Sequence, residues 1–471
     1  MSLSQTSPAS APLAAAPRIL WRAELGSTLR IAWPLIAAQL AQMLILTTDV
    51  VMIGRLGPRE LAAATLAVAV LHPFLLFGVG IATACAPMIA QALGKRDLRS
   101  VRRSFRQGFW ASGIAFAVLL PLVLSIETVL LKTGQEPETA ALVGDFLSSG
   151  VFLILPSLLF IVTRSFLAAH GHTGTIFAIT VFCIGLNVLG LWLLVLGPFG
   201  LPQFGLFGAG IASAVTNAAM FALSLLAIQS RRRYRRYGLF VRFWKPDWPR
   251  LRRILAIGVP IGATLAAETG MFAGAAVMMG WLGTEALAGH AAALQWAALA
   301  FMVPLGLGQA TTVRVGLAQG QGDRAGVGRA GWTSIGLGMG FMSTTALLFL
   351  AVPALLVGVF LHGDAAAIER PLALGVSYLS VAALFALADG AQVVSASALR
   401  GLGDTAWPMV AAICGYWAIG LPLGYVLGFP LGLEGVGIWL GLACGLAAVA
   451  AMLLLRFAFR ERLGLLDRRL G

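Results

Sequence analysis

Long apolar runs, half of them free of Lys, Arg, Asp and Glu and the rest holding one or two, alternate along the chain with short clusters that hold most of its charge. Read as helices, the runs fall at 30–54, 61–92, 107–126, 141–165, 175–197, 207–229, 254–281, 286–317, 331–357, 371–398, 407–428 and 435–456. Spanning a bilayer takes about 20 apolar residues, and each run supplies that length. A helix closes its backbone hydrogen bonds internally and so can cross hydrocarbon. The short alternating segments of a membrane barrel are missing from the pattern. The predicted fold class is an all-α polytopic membrane protein.

The charged clusters orient this array. An even number of helices leaves both termini on one side. With that side as the cytoplasm, 29 of the 33 Lys and Arg residues face it, and only Arg55, Arg59, Lys132 and Arg370 lie outside. That is the bias of the positive-inside rule. The most basic loop, Arg231 to Arg253, carries ten Lys and Arg and one Asp halfway along the chain. The expected organisation is a tail (1–29), a six-helix bundle (30–229), a basic cytoplasmic linker (230–253), a second bundle (254–457) and a C-terminal tail (458–471). A linker of this kind sets topology and can also attract anionic lipid headgroups.

Composition agrees: 59% of the residues are apolar and 11% charged, against about 25% charged in soluble domains. The net charge of +14 would suit a nucleic-acid binder only if gathered on a soluble face, so no nucleic-acid partner is expected; membrane lipids are. Cys85, Cys183, Cys414 and Cys444 all fall inside apolar runs and form no CxxC pair, which indicates neither a disulfide framework nor a zinc site. The Ser/Ala/Pro-rich first 17 residues have no apolar core of signal-peptide length and are expected to be a disordered tail.

The two halves repeat. At an offset of 226 residues, Pro34 meets Pro260, Met52-Ile-Gly-Arg-Leu-Gly57 meets Met278-Met-Gly-Trp-Leu-Gly283, and Gly94 and Asp97 meet Gly320 and Asp323. Farther on, Gly205-Leu-Phe-Gly-Ala-Gly-Ile211 resembles Gly432-Leu-Glu-Gly-Val-Gly-Ile438. Six helices per half give both halves the same orientation, hence two pseudo-symmetric bundles about an axis along the membrane normal. Transporters use such pairs for alternating access.

Sixteen of the 19 acids fall in loops or helix ends, and Asp49, Glu268 and Asp389 remain at bilayer depth. A carboxylate there costs about 2.5–3.5 kcal/mol on insertion scales and must face a cavity or a partner. No Lys or Arg is expected deep enough to pair with them. Such a group holds a proton, a metal ion or an organic cation one at a time, which is the competition an antiporter needs. None of the three has an acidic mate in the other half.

These residues, in their setting, resemble the multidrug and toxic compound extrusion (MATE) family, and within it the NorM-like bacterial branch. The matching stretches are Asp49-Val-Val-Met-Ile-Gly-Arg-Leu-Gly57, Glu268 with Met279-Gly-Trp-Leu-Gly283 and Ala286-Leu-Ala-Gly-His290, Phe301-Met-Val-Pro-Leu-Gly306 with Arg314-Val-Gly316, and Asp389-Gly-Ala-Gln392 with Ala398-Leu-Arg-Gly-Leu-Gly-Asp-Thr405. The resemblance implies a MATE-type fold in the bacterial inner membrane, exporting lipophilic or cationic small-molecule drugs against entry of protons or sodium ions. It maps the ion-coupling acids onto Asp49, Glu268 and Asp389, and auxiliary polar positions near the first onto Asn187 and Ser213. Some NorM-like members have a Tyr one turn before the tenth-helix Asp where this chain has Phe385, and a second Asn or Asp where it has Leu191. Sodium needs several oxygen ligands, so each loss favours proton coupling; a bound metal would be a sodium ion at Glu268 and Asp389.

Gln42, Met271, Phe272, Met278, Trp296, Phe385 and Gln392 are candidate cavity residues by proximity to the acids, since a weakly hydrated cation gains from ring faces and soft Met surfaces. Trp21, Trp244, Trp248 and Trp332 sit at charged boundaries as interface anchors. His170-Gly-His172 lacks the Cys or carboxylate that would complete a metal set. No hydrolase or ATPase motif is present, so the chain is expected to be no enzyme, to need no cofactor, and to draw on an ion gradient, worth about 2.3 kcal/mol per charge per 100 mV. It is expected to work as a monomer. The alternative is a flippase or exporter of a lipid-linked or other endogenous metabolite, whose cavity would present Arg or Lys to phosphates.

Overall fold

The computed structural model describes residues 17–198, 202–361 and 365–467; the tail expected at the start of the chain lies, up to residue 16, outside them. Among the described residues twelve helices have the length and apolarity to cross a membrane: α1 (Ile19–Gly54), α2 (Pro58–Gly94), α3 (Leu98–Lys132), α4 (Pro137–Ala169), α5 (Thr173–Val195), α6 (Gly205–Gln229), α7 (Trp248–Trp281), α8 (Thr284–Gln321), α9 (Arg324–Ala351), α10 (Ile368–Gly401), α11 (Ala406–Gly428) and α12 (Glu434–Ala458). Leu226, Phe182, Leu347 and Leu355, each at least 60% exposed, point away from the packed interior as a lipid-facing surface does.

Several helices run past their apolar runs. The first is helical from Pro17, where residue 30 was the expected start: Glu24 and Thr28 turn inward while Trp21, Leu25 and Leu29 are exposed, so one stripe packs and the other meets the interface. The ninth stops at Ala351 short of the expected 357, because Pro353 opens a separate helix, Pro353–Gly358; proline has no N–H to continue the ladder. In α11 the turns become π-helical at Cys414–Gly420, just ahead of Pro422.

Within the N-terminal bundle α6 packs on α4 and α5, and α1 lies along α5; in the C-terminal bundle α10 is central, against α8, α9 and α12. The bundles meet where α2 crosses α7 and α8, and where α1 crosses α8. The repeat is built into this seam. A Cβ on Gly80 would fall inside the backbone of Gly262, and the contact related to it by 226 residues is Gly306 on Ile36, where a Cβ would lie 2.6 Å from the Ile36 Cα. Gly94 and Gly320, repeat mates of each other, touch directly, with 2.9 Å from a Gly94 Cβ to the Gly320 Cα. Two equivalent residues can meet only on the pseudo-twofold axis. Their neighbours are equivalent too: Asp97 caps α3 through Ser100 N (3.0 Å) and Asp323 caps α9 through Gly326 N (2.7 Å).

Polar contacts reinforce the seam at one end. Arg314 of α8 makes a bidentate pair with Glu24 of α1 (2.9 and 2.6 Å), Gln91 of α2 donates to the Gly401 carbonyl (2.9 Å), and Arg250 of α7 donates to the Ser100 carbonyl (2.7 Å) and Ser104 Oγ (2.9 Å). Arg103 pairs with Asp247 beside them. All of these lie toward the ends of the helices joined by the basic loops, here called the basic face.

The linker between the bundles is docked on that face. Arg106 donates to the carbonyls of Val241 and Arg242, Trp110 to that of Phe243, and the His170 ring bridges the Phe166 carbonyl (2.8 Å) and the Tyr237 hydroxyl (2.9 Å). The His170-Gly-His172 turn is thus an anchor for the linker. Burial pushes His170 down to about 4, which keeps its ring neutral.

Candidate functional site

In the N-terminal bundle Asp49 sits near the end of α1 away from the basic face. Asn187 of α5 donates to Asp49 Oδ1 at 3.1 Å, and Ser213 of α6 reaches Oδ2 at 3.4 Å. Three helices therefore converge on one carboxylate. Asn187 is fully buried and its own Oδ1 has no partner, so the group keeps one acceptor free toward the site. Leu191, one turn along α5, is also fully buried and contributes only hydrocarbon. Gln42, two turns before Asp49 on the same face of α1, is partly buried.

In the C-terminal bundle Glu268 of α7, Asp389 of α10 and Tyr416 of α11 lie within electrostatic reach of one another. Asp389 is 3% exposed with Oδ1 unpartnered, and the Tyr416 hydroxyl and Gln392 Oε1 are likewise buried without partners. Buried polar atoms are nearly always bonded, so this concentration of orphans marks a place for something else to bind. Phe385 occupies the turn before Asp389 and stacks edge-on with Phe272 (5.9 Å) and Trp439 (5.6 Å), and Trp439 in turn meets His290 (5.6 Å). An apolar and aromatic wall thus flanks the carboxylates.

Not every candidate joins this cluster. The Trp296 indole donates to the Leu356 carbonyl (2.7 Å) and packs edge-on against Phe360, which ties it to the short helix Pro353–Gly358 after α9 and the turn beyond it. Met271 and Met278 are buried in the hydrophobic core. The two sets of acids belong to different bundles, joined only through the seam.

Comparison with known proteins agrees with the architecture. The MatE family model matches twice, at residues 34–193 and 260–426, one match per bundle and with starts separated by the repeat offset. The chain belongs to the MatE family. It is therefore a secondary transporter and not an enzyme. Among its relatives, the "Probable multidrug resistance protein NorM" of Mesorhizobium japonicum is 44% identical over 455 residues, covering 96% of this chain and 97% of the relative. The protein so named in Brucella suis is 45% identical over 93% of each chain. Solved structures with the same fold include a eukaryotic MATE transporter (TM-score 0.83, 18% identity, 94% of this chain and 99% of that one). A MOP superfamily transporter from Pyrococcus furiosus also shares it (TM-score 0.82, 19% identity, 95% and 97%).

Two features of this MatE protein depart from expectation. Tyr416 is the first: where Phe385 lacks a hydroxyl, a phenol from α11 stands near the same two carboxylates. A Tyr in an apolar run carries no signal of this kind, although Pro422 just beyond it hints at irregular helix, and π-helical turns are frequent at functional sites. The second corrects the expectation that no basic residue lies deep. Arg164 of α4 and Arg400 of α10 line a cavity between the bundles, and Arg400 is the cation whose charge is felt at Glu268. Both fall at the margins of their apolar runs. The helices extend beyond the runs and carry these side chains inward.

Proposed function

We propose that this MatE protein is a multidrug exporter of the bacterial inner membrane, working by proton-coupled antiport. The carrying observation is the placing of a carboxylate site in each bundle while the polar contacts between bundles lie at one end. With the basic face as the cytoplasmic side, as the charge bias supports, the seam closes the cytoplasmic end and the acids are reached from outside. Neutralising Glu268 and Asp389 with protons removes the charges that hold a cationic drug. Rocking the bundles apart at the seam then presents the acids to the cytoplasm.

The aromatic wall of Phe272, Phe385 and Trp439 suits lipophilic cations, and the names of the relatives support drug-like substrates. Proton coupling is favoured over sodium because Phe385 and Leu191 withhold oxygens, and the Tyr416 phenol returns only one of them near Glu268 and Asp389. The flippase alternative draws some support from Arg164 and Arg400, which line a cavity between the bundles.

Efflux of ethidium from vesicles under imposed proton or sodium gradients tests the reading. A proton gradient should drive export, and Glu268→Gln and Asp389→Asn should each abolish it. Unchanged export in both variants would remove the C-terminal site, and export driven by sodium alone would overturn the choice of ion.

A further inference from the structure

The cavity between the bundles holds two cations and no anion. It is lined by Thr83 and Ala86 of α2 and by Ile161, Arg164, Ser165 and Ala168 of α4 from one bundle. Gln309, Thr312 and Val313 of α8 and Arg400 of α10 come from the other. Arg164 donates to the neutral Gln39 Oε1 at 3.1 Å and lies over the Phe160 ring. Among the described residues Arg400 has no hydrogen-bond or ion-pair partner, and its charge is balanced only at longer range by Glu268. The hydroxyls of Thr83, Ser165 and Thr312 already donate to main-chain carbonyls. No carboxylate lines the cavity, and the acid that acts on Arg400 is Glu268, from outside it.

Burial strips hydration from both guanidinium groups, and a buried charge is costly unless a counter-charge pairs with it. With a volume of about 30 Å³, the cavity has room for one small ion, given that a water needs roughly 10–15 Å³. We infer that Arg164 and Arg400 bind one halide-sized anion, chloride in the cell, as a removable bridge between the bundles near the basic face. Because one arginine comes from each bundle, the site exists only while the seam is closed. Halide therefore favours the seam-closed state, and the negative charge of Glu268 opposes halide at Arg400. This inference does not depend on the transported substrate or on the coupling ion.

The test is the thermal stability of the purified full-length protein in sodium bromide or chloride against sodium gluconate at equal ionic strength, together with anomalous scattering from bromide in crystals. Halide should raise the melting temperature by about 1–3 °C in a saturable manner. Anomalous density should lie between Arg164 and Arg400. Arg164→Gln and Arg400→Gln should each abolish the halide increment, Arg164→Lys should keep part of it, and Glu268→Gln should lower the bromide concentration at half-effect several-fold. Equal melting in bromide and gluconate would overturn the inference, as would an increment that survives both arginine substitutions. If the variants fail to fold, the wild-type crystal decides: bromide elsewhere, or none, refutes the site.

Discussion

Glu24→Gln isolates the contribution of the seam's ion pair. Arg314 holds Glu24 through two hydrogen bonds, and the side chains are 25% and 10% exposed respectively. Removing one partner of a fully buried pair costs about 3–5 kcal/mol, whereas exposed pairs contribute about 0–1 kcal/mol. For this intermediate exposure and bidentate geometry about 2 kcal/mol is expected. Because the pair joins helices from different bundles, the loss falls on the seam-closed state rather than on either bundle. A bias of about 2 kcal/mol changes the ratio of seam-closed to seam-open molecules about 30-fold.

Spin labels at Ser230 and Glu461, both exposed and in opposite halves, would read that ratio as a distance distribution on a background lacking the four native cysteines. Glu24→Gln should enlarge the long-distance population, and the double variant with Arg314→Gln should cost less than the sum of the singles. A distribution unchanged from wild type, or no coupling in the double-mutant cycle, would refute the reasoning.

Three further outcomes follow from the geometry. Gly320→Ala places a Cβ inside the Gln91 carbonyl, while Gly280→Ala meets nothing within 4 Å; the first should destabilise the seam by about 1–3 kcal/mol and the second leave melting unchanged, as thermal denaturation would show. Tyr416→Phe removes a hydroxyl that has no protein partner, so melting should hold while proton-driven efflux falls several-fold; undiminished efflux would exclude the phenol from the site. His170 is neutral when docked and titrates near 4 instead of 6.5, so an undocked linker takes up the proton first as pH falls. Docking is then intact above about pH 7 and weaker by about 2 kcal/mol at pH 5, which trypsin cleavage at Arg231–Arg236 would report as faster nicking in acid.

Much of this molecule is written openly in its sequence, for reasons that differ by feature. Hydrocarbon imposes a length on every run, so the twelve helices and their order are legible, and a duplication leaves register marks such as Gly94 and Gly320 that survive without alignment. Carboxylates are so costly in lipid that Asp49, Glu268 and Asp389 stand out individually. Less legible is whatever depends on how far a helix continues beyond its apolar run. Glu24 and Arg400 lie beyond their apolar runs and Arg164 at the last turn of its own, yet long helices and long side chains bring them into the space between bundles. Tyr416 was hidden because an aromatic in an apolar segment is ordinarily packing, and the bond from the Trp296 indole to the Leu356 carbonyl is a partnership that nearness in sequence to Glu268 does not reveal.

The meeting of Gly94 with Gly320 on the symmetry axis limits what duplication can encode. Where repeats are inverted, exchanging the conformations of the two halves turns a structure open on one side into one open on the other. Halves related by an axis along the membrane normal have no such property: exchanging them returns the same opening. The second state of this protein must therefore be a different packing of the same two halves, and the unmatched seam contacts at Glu24, Arg164 and Arg400 bear on the balance between the two packings.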